Sequence, residues 1–231
     1  MVNKRKRIEE ENEDSSQNQL NIERIVKVAI DLLNKEGINK LSMRRLAGDL
    51  GIRAASLYWH VKDKADLLQL VADTICSKIQ IPDSSLPWQE QILLTLNEYR
   101  AALLTVNDSA QILINTAPFT YKRLNIINAI FRIFLEAGLP PEEVVMISAS
   151  INNFVLSFVM DEMRLSKIAK EQGKTVDEIA VIASEIFRNL PKDQYASTVF
   201  IADFTMKINK DREFKYGIEL IMEGVKNRLN K

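Results

Sequence analysis

The chain has 231 residues, 46% of them hydrophobic and 27% charged, and its 31 basic and 31 acidic groups cancel. This is ordinary globular composition, long enough for one large domain or a small domain beside a larger one, and it excludes a disordered or fibrous chain. Seven Gly and six Pro are few, and the lone Cys76 excludes an intramolecular disulfide.

Residues 1–19 hold 4 basic and 5 acidic groups in blocks without apolar periodicity, and are expected to form a disordered tail. The "KRKR" at 4–7 suits a phosphate backbone; it equally suits a solvated tail neutralised by the "EEENED" that follows. Residues 20–64 carry 9 basic and 5 acidic groups, whereas residues 65–231 carry 18 and 21. A basic section therefore opens a slightly acidic chain, as phosphate binding would favour. In "NIERIVKVAIDLLNKEG", Ile22, Ile25, Val26, Ala29, Ile30, Leu32 and Leu33 share a helical face and Gly37 supplies the stop. In "LSMRRLAGDLG", Ser42 is an N-cap, Leu46, Ala47 and Leu50 face inward, and Gly51 ends the helix. "IRAASLYWHV" is a second short helix. Asp63 then caps a longer helix over 64–79, with Asp66 in a box-like arrangement. Two short helices joined by a tight turn and braced by a longer one form a helix-turn-helix pattern.

"QIPDSSLP" reads as a linker. Beyond it, long helices are predicted at about 88–105, 108–116, 120–137, 141–166, 176–189, 196–208 and 212–229. Gly138 and Pro140-Pro141 separate two of them, Thr175 and Glu178 form a capping box, and Pro191 ends another. No strand-like alternation appears, so the fold class is all-α. The expected division is a tail (1–19), a helix-turn-helix DNA-binding domain (20–64), a connecting helix (65–80) and a C-terminal helical domain (81–231). The apolar stretch from Val144 to Met160 is interrupted by Ser148, Ser150, Asn152 and Asn153 and is short for a membrane span. With a polar N-terminus and no secretory signal, the expectation is a soluble, cytoplasmic protein without a membrane partner.

The stretch "SLYWHVKDK" concentrates three rings, Tyr58, Trp59 and His60, beside Lys62 and Lys64. Such rings place an apolar body on sugars and methyl groups and a polar tip on phosphate. Leu57 and Val61 are core positions. Trp59 fits packing as well as reading, and Arg45 fits a plain solvated helix face. His60 is the only histidine and has no second His or Cys at ligand spacing, which argues against a metal site. No nucleophile partner and no glycine-rich phosphate loop is visible, so neither an enzyme nor a cofactor is expected.

Residues Ile22 to Ile79, through "LNKEGINKLSMRRLAGDLGIRAASLYWHVKDKADLL", resemble the DNA-binding domain of the tetracycline-repressor (TetR) family. The "YWH" form and the tail "REFKYGIELIMEGVKNRL" resemble the branch containing the tetracycline repressors themselves. The resemblance implies that the second short helix enters the major groove of double-stranded operator DNA. Arg53, Ala54, Ala55 and Ser56 would then read bases, and Tyr58, Trp59 and His60 would line the groove wall. Lys64 matches a lysine that clamps phosphate, with Lys62 beside it. Ser42 and Arg44 match positions that touch phosphate and guanine. Ala54 and Ala55 are smaller than the residues tetracycline repressors carry there, so a different operator is implied.

The resemblance further implies a homodimer formed through helices 141–166 and 212–229, the latter with Phe214, Ile218, Ile221, Met222, Val225 and Leu229 on one stripe. Gly217 and Gly224 would allow close helix approach. A small-molecule effector pocket is implied at Thr95, Tyr99, Leu113, Thr116, Ile130, Asn153 and Asp161. Leu113 falls where tetracycline repressors use a histidine to hold the magnesium-bound drug, so the expected effector is a different, largely apolar compound. The implied function is a ligand-responsive repressor released from DNA by its effector. The alternative is a regulator whose C-terminal domain senses a partner protein, or thiol oxidation at Cys76.

Overall fold

The computed structural model describes residues 21–207 and 209–230. The expected tail at 1–19, with its basic run, lies outside them. Among the described residues all regular structure is helical. The chain divides into two units, Met1–Thr74 and Ile75–Lys231.

In the first unit, α1 (Ile22–Glu36) begins where the Asn21 side chain accepts from the Arg24 amide at 2.8 Å. It buries Ile25, Val26, Ala29, Leu32 and Leu33. Ile22 is exposed, because the apolar face starts one turn later. α2 (Met43–Leu50) is capped by Ser42 and closes at Gly51, whose φ of 71° is the left-handed conformation that glycine adopts without strain. α3 (Ala54–Tyr58) is five residues long and buries only Leu57. Val61 follows it into the core. α2 packs on both α1 and α3. α4 (Lys64–Cys76) starts with Asp63 accepting from the Asp66 amide at 2.9 Å. The Asp66 carboxylate returns to the Lys62 amide at 3.0 Å, one residue earlier than a standard capping box would place it. α4 stops three residues short of the predicted end. Tighter turns take over, with Lys78 N bonded to Ile75 O and Ile79 N to Cys76 O.

The second unit contains α5 (Trp88–Leu104), α6 (Ser109–Ile114), α7 (Tyr121–Glu136), α8 (Pro141–Glu171), α9 (Val176–Arg188), α10 (Lys192–Ile201), a 3₁₀ segment (Ala202–Lys207) and α11 (Lys210–Leu229). α8 is its central post and packs against α5, α6, α7, α9 and α11. It runs 31 residues, past the predicted end at 166, because Lys167 to Lys170 continue good helix formers until Gly173 turns the chain at φ 63°. By length and composition α8 could cross a membrane. Its Ile151, Val155, Leu156 and Val159 are instead buried within the unit. α9 opens on the predicted capping box, with Thr175 N donating to Glu178 Oε2 at 2.7 Å and Glu178 N to Thr175 Oγ1 at 3.2 Å. The helix predicted at 196–208 begins earlier, at Lys192, and kinks at Tyr195 before tightening into the 3₁₀ segment.

The stripe foreseen for dimerisation on α11 is divided: Ile221, Met222 and Leu229 are half-buried, Ile221 lining a surface groove, while the rest pack inside the unit. Phe214, Ile218 and Val225 are buried, and Phe214 stacks on Phe154 of α8 with ring centroids 5.6 Å apart. Gly217 serves this contact, since a Cβ there would stand 2.4 Å from Phe154 Cζ. Gly224 has open space around it. The outward side of the α8–α11 pair carries Val145, Met146, Tyr216 and Leu220, all more than half exposed.

Candidate functional site

The first unit exposes the residues singled out from the sequence. Because Leu57 and Val61 turn inward, Ala55, Ser56 and Trp59 turn outward, Ala55 and Trp59 being one helical turn apart. Trp59 is 89% exposed, which removes the packing role and leaves a ring and an indole N–H presented to a partner. Tyr58 is 53% exposed and His60 is also exposed. Arg44 and Arg53 are exposed and form no side-chain hydrogen bond or ion pair with other described residues, so both guanidinium forks are available. The neighbouring Arg45 is occupied, bonding Glu36 at 3.0 Å and Asp49 at 3.3 Å. This answers the open question about Arg45: it braces α2 against the end of α1.

Ser42 is exposed and its Oγ accepts the Arg45 amide at 3.2 Å. The hydroxyl proton stays free to donate to a phosphate oxygen. Lys62 is exposed. Lys64 is half-buried, with Nζ donating to Ile38 O at 2.9 Å, which ties the start of α4 to the loop after α1. Two of its three N–H donors remain for another acceptor. All eleven residues thus belong to α2, α3, their flanking turns and the first residue of α4 in one small unit, and most are exposed.

The second unit separates the seven effector candidates. Thr95, Tyr99, Leu113 and Ile130 are buried. Thr95 Oγ1 is spent on Gln91 O at 2.7 Å. The Tyr99 hydroxyl donates to Asn152 Oδ1 at 3.2 Å. Burial, first, and the Cys76 thiol, second, push the phenol well above its ordinary range, against the nearby charge of Arg123. Tyr99 is therefore a neutral donor at physiological pH. Asn153 is exposed, one position round α8 from the Asn152 that meets Tyr99. Asp161, about two and a half turns further along α8, belongs to a different cluster: it pairs with Arg164 at 2.5 Å and Lys210 at 3.1 Å. Burial raises its pKa, but those hydrogen bonds outweigh burial and hold the carboxyl below its ordinary value.

Thr116 is engaged by a residue the sequence reading passed over. Arg123, 8% exposed, donates to Thr116 Oγ1 at 2.8 Å, to Leu113 O at 3.0 Å and to Thr116 O and Ala117 O at 3.1 Å. It caps the carbonyls that α6 leaves unmatched. Arg100 was also missed. It binds Glu162 through two nitrogens, at 2.9 and 2.7 Å, reaches Asp211 at 2.8 Å, and lies over the rings of Phe158 and Phe214. A cation within an apolar run, as in "EYRAALL", was the available signal; its partners lie 62 and 111 residues away and leave no mark in local sequence. Cys76 is buried, whereas a reactive thiol needs access. Among the described residues, no three His, Cys, Asp or Glu side chains gather to hold a metal ion.

A surface groove of about 370 Å³ runs between α8 and α11, lined by Leu139, Met146, Ile147, Leu220, Ile221 and Val225 with Glu143, Ser150 and Arg228. Arg228 and Glu143 bridge at 3.1 Å.

Two family models match the chain: "Bacterial regulatory proteins, tetR family" over residues 25–71 and "Tetracyclin repressor-like, C-terminal domain" over residues 81–229. The chain is 31% identical to the class E tetracycline repressor protein of Escherichia coli over 171 residues, covering 73% of this chain and 80% of that protein. It is 27% identical to the class A repressor from transposon 1721 of Escherichia coli, covering 88% and 89%. The crystal structure of the Streptomyces coelicolor TetR family protein ActR in complex with actinorhodin superposes with a TM-score of 0.78 at 28% identity, covering 89% of this chain and 95% of that one.

Proposed function

The chain belongs to the TetR family of bacterial regulators, and from that premise we propose that it is a ligand-responsive transcriptional repressor that binds operator DNA as a homodimer. The observation that carries this reading is the exposed set on α2, α3 and the turn after it: two free arginines, three rings and Lys62 around one five-residue helix. Rings this exposed have no internal role, and their chemistry suits sugars, methyl groups and phosphates. The family consists of transcriptional regulators, not enzymes, and a repressor works where the operator is, in the cytoplasm.

Dimerisation is assigned to the outward side of α8 and α11. Val145, Met146, Tyr216 and Leu220 form an exposed apolar face, and a two-fold pairing of that face would bury it. Two reading helices then address half-sites about 34–36 Å apart. The effector region is assigned to the surroundings of the buried Tyr99, whose hydroxyl reaches the exposed Asn152, with the buried Leu113 and Ile130 as apolar groups. These groups are neutral, which favours a largely apolar organic effector with a polar group facing the Tyr99–Asn152 pair. That the ActR structure holds actinorhodin supports an organic ligand for this C-terminal fold. Linkage then requires bound operator to weaken effector binding by the same factor that effector weakens operator binding.

Arg44→Ala tests the reading head. It is expected to weaken operator binding by about 1–3 kcal/mol and to relax the base preference at one position in each half-site. Fluorescence anisotropy against the operator and its single-base variants measures both. Unchanged affinity with unchanged preference would remove Arg44 from the interface.

A further inference from the structure

Two arginines are buried among the described residues, Arg100 and Arg123, and their partners differ. Arg100 turns its Nε and Nη2 to the Glu162 carboxylate at 2.9 and 2.7 Å. Arg123 forms no ion pair with any described residue. Its acceptors are three carbonyl oxygens and the Thr116 hydroxyl, reached by three bonds from Nη1 and one from Nη2. A guanidinium has five N–H donors. The Nε–H and one Nη2–H of Arg123 are thus left without an acceptor among the described residues, on the same two nitrogens that Arg100 gives to a carboxylate. The corner around Arg123 does not neutralise it. α6 ends and α7 begins there, so the negative end of one helix opposes the positive end of the other. α7 opens with Tyr121, Lys122 and Arg123, with no acidic residue in its first turn and no side-chain cap from Thr120. A buried charge is ordinarily met by an opposite one, and the described residues bring none to Arg123. Its place is the region assigned to the effector: Nη2 holds the carbonyl of the buried Leu113 at 3.0 Å, and its charge acts on the Tyr99 phenol.

Resting on the effector reading above, we infer that the effector is an organic acid, ionised at neutral pH, whose carboxylate takes the Nε–Nη2 edge of Arg123 while its apolar frame lies among the apolar groups of the same region. The acid supplies the counter-charge that the chain withholds, and two parallel N–H donors fix its orientation. A neutral compound of the same frame leaves the guanidinium unmatched and binds less tightly. A cationic compound meets a like charge and is excluded.

The experiment uses the full chain and four probes in two matched pairs: naphthalene carboxylate with naphthalene carboxamide, and anilinonaphthalene sulfonate with phenylnaphthylamine. Each pair keeps the apolar frame and differs in the anionic group. Titration calorimetry, with fluorescence for the second pair, gives the affinities. The expected result is saturable binding, the anion on the order of 10–100-fold tighter than its neutral match. In Arg123→Met protein that ratio falls toward one while the neutral probe binds as before. Arg123→Lys keeps the charge and loses the fork, so its ratio is expected between the two. It also answers in place of Arg123→Met if loss of the cap on α6 costs that variant its helical circular dichroism. Equal affinities within each pair would overturn the inference and leave the effector reading intact, with Arg123 a helix cap alone. So would a ratio that neither variant changes, which would place the acid at another cation. If none of the four probes binds, the effector reading fails and the inference fails with it.

Discussion

Leu220→Lys is expected to convert the dimer into a monomer and to remove tight operator binding. Leu220 is 56% exposed in the isolated chain and lies on the groove between α8 and α11. Lysine there costs the monomer little, since substitutions at exposed positions fall within about 0.5 kcal/mol. In a two-fold interface the same change places two ammonium groups against an apolar surface, once from each copy. A monomer engages one half-site, so the gain from joining two reading heads disappears, on the order of 10²–10⁴ in affinity. Light scattering gives the mass and anisotropy the affinity, while circular dichroism shows whether the helices persist. A Leu220→Lys protein that stays dimeric would relocate the interface.

The second large effect concerns Arg100. Its side chain is 11% exposed and holds that of Glu162, itself 16% exposed, with Asp211 at the solvent edge. The ion pairs link α5 to α8 and α11, and the cation lies 5.0 Å from the Phe214 ring centre. Arg100→Met leaves the largely buried Glu162 carboxylate without its cation, a change expected to destabilise the protein by about 3–5 kcal/mol. Replacing both partners, Arg100→Met with Glu162→Met, removes the stranded charge and is expected to recover most of that loss. Asp211 is 87% exposed, so its loss of a partner adds little. Denaturant unfolding of the two single variants and the double variant measures this. A double variant as unstable as the sum of the singles would show that Arg100 and Glu162 act independently.

The reading head was legible because it is local. A cap at Ser42, a left-handed glycine at position 51, an inward Leu57 and Val61, and rings between them all fall within twenty residues, where periodicity reports directly on exposure. The second unit was legible only as helices. The stripe on α11 was identified correctly as apolar, but periodicity does not say whether an apolar face meets its own chain or a second copy. Gly217 approaches Phe154 within the chain, linking positions 63 residues apart in the sequence, while Ile221 of the same stripe lines the outward groove. Asn152 and Asn153 are indistinguishable in a sequence; a rotation of one residue about α8 decides which one meets Tyr99. Asp161 was a ligand candidate only through the resemblance; its partner Arg164 lies three residues on and is visible in the sequence, whereas its second partner, Lys210, is on another helix.

A repressor must bind one DNA sequence far more tightly than others. This is tested most directly by titrating the purified protein against a labelled duplex from upstream of its own gene, with a random duplex as control, at two salt concentrations. Saturable binding with dimer stoichiometry is expected, at least about 10³-fold tighter than to random DNA. Equal binding to both duplexes, falling steeply and in parallel as salt rises, would contradict it.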